Sequence, residues 1–97
     1  MKISITQADI DQAKNWQEDL QRNPVAWAIR RTTGIPTSAG PGAAVIDYAT
    51  PWQSECWLPE EIIDWLENWN NGEKVEPVEF EIDFDLEVHE TRRAGRR

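Results

Sequence analysis

From Val78 to Val88 the chain alternates apolar and acidic residues without a slip. Val78, Phe80, Ile82, Phe84, Leu86 and Val88 fall on one side of an extended backbone, with Glu79, Glu81, Asp83, Asp85 and Glu87 on the other. A period of two belongs to a β-strand with one buried face. The pattern therefore predicts a long terminal strand that supplies much of the core, with a row of five carboxylates opposite and no basic residue among them.

The rest of the chain is read around that strand. Lys2-Ile3-Ser4-Ile5 alternates as a short strand, and Thr6 with Asp9 three residues later makes a helix-starting pair. A helix from Gln7 to Gln21 would place Ile10, Ala13, Trp16 and Leu20 on one stripe. Asn23-Pro24 starts a second helix, to Thr33, which Gly34 ends. Val25, Ala28 and Ile29 would point inward there, while Trp27 falls on another side with Arg30 and Arg31 three and four positions on. That trio is either a surface binding feature or a packed cation–π pair. Ile35 to Gly42 holds two prolines and two glycines and reads as a loop with at most a very short strand. Ala43–Tyr48 and Trp52–Leu58 read as a hairpin around Ala49-Thr50-Pro51. Pro59 opens a third helix whose face Ile62, Trp65, Leu66, Trp69 opposes Glu60, Asp64 and Glu67, and Asn70-Asn71-Gly72 stops it.

The order β-α-α-β-β-α-β predicts an α+β fold: a mainly antiparallel sheet of about four strands with three helices on one face. Residues 1–90 would form the domain, and 91–97 a disordered basic tail.

Length allows one core. The 97 residues carry six tryptophans and a single cysteine, Cys56, so a disulfide framework and a cysteine zinc cluster are excluded and a reducing compartment is expected. Residues 2–5 run at once into polar sequence, with no signal-peptide core and no apolar run long enough for a membrane span, so a cytoplasmic location is expected. The net charge of −8 is unevenly spread: residues 1–54 are neutral, residues 55–90 carry −12, and residues 91–97 carry +4. A body so poor in Lys and Arg is unsuited to nucleic acid and suited to a basic partner.

Candidate chemistry is thin. His89, at the end of the predicted strand, is expected to be exposed, and Cys56 reads as a small core residue. Neighbouring acids on one strand face stand about 6.8 Å apart, too far to share a cation comfortably. Ala39-Gly40-Pro41-Gly42 lacks the Lys-Ser/Thr of a phosphate loop. No catalytic residue, metal ligand or cofactor is assigned.

Several segments together resemble small bacteriophage- or prophage-encoded proteins of unassigned activity: Ile-x-Ile-Thr-x-x-Asp-Ile from Ile3 to Ile10; Pro24, Ala26, Ala28, Ile29, Arg30, Arg31 and Gly34 around Trp27; Leu58-Pro59-Glu60; and Gly72-x-x-Val75-x-Pro77-x-Glu79-Phe80-Glu81. A cysteine pair common in that group ahead of the second helix is missing here. The resemblance implies a setting, the cytoplasm of a phage-bearing bacterium, and no residue-level activity.

The expected function is an accessory protein that binds a basic host protein, of the nucleic-acid-binding or defence kind, through an acidic surface. Its binding residues would be Glu79, Glu81, Asp83, Asp85, Glu87, Glu60, Asp64 and Glu67, with Trp27, Arg30 and Arg31 as a second patch. The alternative is a structural or oligomerising protein whose acidic sheet face is merely solvated; an enzyme is the remotest class. Full mimicry of duplex DNA is strained by density, since one charge per about 6.8 Å of strand compares with one per about 1.7 Å of duplex axis.

Overall fold

Ile3 and Ile5 face the same way on a four-residue strand, and they find their partner at the far end of the chain. In the computed structural model, which describes residues 1–95, β1 (Lys2–Ile5) runs antiparallel to a strand formed by Val78–Glu81, with Ile3 opposite Phe80 and Ser4 opposite Glu79. Ile3, Ile5 and Phe80 are buried, and Lys2, Glu79 and Glu81 are exposed, as period-two alternation requires.

Thr6 accepts a hydrogen bond from the Asp9 backbone N–H, and Asp9 accepts one from the Thr6 N–H, a reciprocal cap that starts α1 (Gln7–Gln12). The expected helix to Gln21 stops there. Residues 19–23 are drawn off by tertiary hydrogen bonds: the Ala39 N–H donates to the Leu20 carbonyl at 2.7 Å, and the Asn23 amide donates to Ala39 and Asp19. Those bonds outweigh helix propensity, so Trp16 and Leu20, expected in the core, stand exposed. Asn23 also caps α2 (Pro24–Thr33), accepting from the Ala26 N–H, and Gly34 ends it at φ 75°. Val25, Ala26, Ala28 and Ile29 are fully buried, and α2 packs on β1 and, on its other side, on the second sheet.

That second sheet is three short antiparallel strands in the order β2 (Thr37–Ala39), β3 (Ala43–Ile46), β4 (Ser54–Trp57). The hairpin is present with a longer turn than expected. Pro59 is the cap preceding α3 (Glu60–Asn70), which sends Ile62, Leu66 and Trp69 into the common core. The strand opposite β1 is β5 (Val78–Glu81), followed by α4 (Leu86–Ala94).

The fold class, one small α+β domain with antiparallel strands, is as the sequence predicts. Three details are corrected. The strands divide into two sheets, because α2 separates β1 from β2. The alternating stretch is a strand only to Glu81: β1 offers four residues, the Met1 and Ile82 backbones exchange one further pair of hydrogen bonds, and beyond that β1 offers no partner. The expected disordered tail is instead the end of a fourth helix, which Asp85 starts by accepting from the Val88 N–H at 3.1 Å. Arg96 and Arg97, also assigned to the tail, lie outside the described residues. Among the described residues no helix is long and apolar enough to cross a membrane.

Candidate functional site

The five alternating acids do not form one continuous row. Glu79 is met by the Lys2 ammonium at 3.2 Å and the Ser4 hydroxyl at 3.2 Å; Lys2 first, and then Ser4, hold its carboxyl below the ordinary glutamate value. Glu81 lies 3.4 Å from the Met1 amino group. Asp85 is the α4 cap, and Glu87 is in that helix's first turn. Asp83 is exposed in the connection between them.

Glu60, Asp64 and Glu67 behave differently. At spacings of four and three they form one exposed ridge along α3, and among the described residues no cation stands within ion-pairing distance of them. Glu67 stands at the edge of a cleft of about 260 Å3 between α3 and the loops around Glu18 and Gly40. Leu20, Ile63, Leu66 and Pro41 give the cleft apolar walls, and among the described residues Glu18 and Glu67 give its charged lining. Glu18 is held at φ 66°, with its backbone N–H donating 2.8 Å to the Asn70 side-chain oxygen. Leu20, 52% exposed, lies over Gly40, where an added Cβ would meet it at 3.5 Å. Beside Gly42, at the same end, stands Trp57, 74% exposed on the outer face of β4. Sequence reading found Glu67 but missed Glu18, Leu20 and Trp57, because Leu20 was assigned to a buried helical stripe.

Trp27, Arg30 and Arg31 line one open surface hollow together with Gly34. Arg30 lies over the half-buried Trp27 ring at 5.8 Å, a loose cation–π contact. Arg31 grips both oxygens of buried Asp9 at 3.2 and 2.9 Å and the Ser4 carbonyl at 2.8 Å. Burial pushes the Asp9 carboxyl up, but the Arg31 and Thr6 hydrogen bonds outweigh it and leave its pKa below the ordinary value. Arg31 therefore fastens α2 to α1 while about half of its side chain stays exposed.

The expectation of an exposed His89 is overturned. His89 is 2% exposed; its Nε2 lies 3.0 Å from Asp47 Oδ2, and Arg93 Nη1 reaches the same oxygen at 3.2 Å. A carboxylate only accepts, so Nε2 donates. Phe84 covers the ring with centroids 5.2 Å apart, and Arg93 stacks on Trp52 at 5.0 Å. Among the described residues, His89 Nδ1 and Trp52 Nε1 meet no hydrogen-bond partner. With His89 and Asp47 buried and Arg93 half-exposed at its edge, this cluster joins α4 to the β3–β4 turn. Cys56 donates its thiol to the Asp83 carbonyl at 3.5 Å, and burial first, then the Asp83 charge, pushes its pKa up. Both effects disfavour the thiolate that a nucleophile requires.

The fold and surface together define a small α+β domain with an acidic helix ridge running into an apolar cleft. Compared with known proteins, the chain matches no family model, no curated protein and no solved structure. Among the described residues no cluster of His, Cys, Asp and Glu is placed to hold a metal ion.

Proposed function

We propose that the protein is a binding module for a basic partner protein, held through its carboxylate-rich surface. In the phage setting that the sequence resemblance implies, the partner would be a host protein of the nucleic-acid-binding or defence kind. The observation that carries the reading is the α3 ridge. Like charges three and four apart on a helix destabilise it by about 0.2–0.5 kcal/mol per pair, and interleaved lysines would relieve that cost and serve solubility as well. Lysine is absent from α3.

The density favours recognition of separate basic side chains over imitation of a duplex. At a rise of about 1.5 Å per residue, the seven steps from Glu60 to Glu67 give one charge per roughly 5 Å, against one per about 1.7 Å of duplex axis.

The test is affinity capture from bacterial lysate at about 0.05 M and 0.5 M salt, with wild-type protein and the triple variant Glu60→Lys, Asp64→Lys, Glu67→Lys. All three sites are exposed, so the variant should fold. The expected result is a set of basic proteins held by the wild type at low salt and lost both on raising the salt and on reversing the charges. Equal capture by the variant would place binding elsewhere.

A further inference from the structure

We infer that the cleft between α3 and the loops around Glu18 and Gly40 seats a single large apolar side chain of a partner peptide, with lysine or arginine residues on either side of it. The inference rests on the binding-module reading and adds what the partner presents.

Its size sets the occupant. About 260 Å3 is below the roughly 300–1,000 Å3 of sites for drug-sized ligands. It exceeds the about 150 Å3 of a cavity that holds one benzene ring, so one leucine, phenylalanine or tryptophan side chain fits with its neighbours at the mouth. The walls set its polarity. Leu20 and Ile63 offer apolar surface, and Leu20 leaves half of its own in water, which a seated side chain would cover. Trp57 extends that surface past Gly42.

The charge at the mouth sets the flanking residues. Among the described residues, Glu18 and Glu67 are the charged ones lining the cleft, and none of its lining is basic. The nearby Arg22 is turned away onto the Trp16 ring at 4.2 Å. A peptide with acidic flanks would be repelled, and a neutral apolar one would leave both carboxylates without a partner. A basic flank satisfies each and gains from the ridge that ends at Glu67.

The probe is acetyl-Lys-Arg-X-Arg-Lys-amide with X as leucine, phenylalanine or tryptophan, and a serine companion of equal charge, titrated into the 15N-labelled protein. The apolar peptides should shift the Leu20, Gly40, Gly42 and Glu67 amides. The best should bind about ten- to a hundredfold tighter than the serine peptide, the ratio that burying one such side chain supplies. Leu20→Ser, at a half-exposed position, should erase that preference while leaving binding of the serine peptide intact. Equal binding of all four peptides with shifts confined to the ridge would overturn the cleft assignment and leave the binding-module reading standing. Absence of any shift at about 1 mM peptide, the weak limit of specific association, would overturn the cleft assignment outright, and lysate capture would then decide the wider reading alone.

Discussion

Asp47 sits at φ 63°, a left-handed backbone that aspartate tolerates better than most residues, and from there its carboxylate turns inward to meet His89 and Arg93. A buried charge is tolerable only when paired. In His89→Ala, Arg93 still reaches Asp47, so the expected loss is about 1–3 kcal/mol and not the about 3–5 kcal/mol of a fully orphaned buried charge. The loss should be local first. Hydrogen exchange should show amides 88–94 unprotected while those of α2 keep their protection, and uniform loss across both helices would show that the cluster supports the whole core. Asp9 yields a pH prediction. Its folded pKa is below the unfolded value of about 3.9, so its contribution is complete above that pH and is lost as pH falls through the folded value. Asp9→Asn should therefore melt below wild type at pH 7, and the gap should narrow below about pH 4. A constant gap would show that ionisation of Asp9 adds nothing.

At the scale of elements, the stretch after Glu81 separates two residues that look equivalent in sequence. Asp83 is exposed without a capping role, whereas Asp85 starts α4. Asp83→Asn should leave chemical denaturation unchanged, and Asp85→Ala should cost about 0.5–2 kcal/mol; equal effects would mean that α4 is not capped as described. The same stretch shows how far sequence reading carried. Burial does alternate from Phe80 to Asp85, so the buried and exposed sides were legible although the ladder stops at Glu81. The helix after it was hidden because Leu86, His89 and Arg93 also lie three and four apart, and an alternating pattern satisfies both periods over so short a run. Caps were legible wherever they are local, as at Thr6, Asn23 and Gly34. The ends of α1, the cleft and the Asp47–His89 pair were not, since each depends on groups brought from distant positions: Leu20 with Ala39, Glu18 with Asn70, Asp47 with His89. The α3 acids were legible as a ridge, but nothing in their spacing showed that the ridge ends at a cleft.

For the whole molecule, charge and shape do not coincide with the two sheets. The neutral first half supplies the buried α2 and two of the three strands of its sheet. The acidic second half supplies an outer ridge, and α4, with Glu87 in its first turn and Arg92 and Arg93 in its last, is bound to the rest through Asp47. Reading the net charge as a single acidic sheet face was thus too simple: carboxylates on β5 are partly met by Lys2 and the Met1 amino group, and the α3 ridge of Glu60, Asp64 and Glu67 stands away from that sheet.

The pairing of β1 with β5 also sets when that sheet can form. Met1 and Ile82 exchange backbone hydrogen bonds across 81 positions, so β1 has no partner until β5 has left the ribosome. At about 5–20 residues per second, that wait is roughly 4–16 seconds. Through it Ile3 and Ile5 lack the Phe80 surface that covers them, and α2 lacks a completed sheet on one side. The β1–β5 ladder thereby waits until residue 82 has been made, and during those seconds the nascent chain depends on the polar residues around β1, and on whatever holds unfinished chains, to stay out of aggregates.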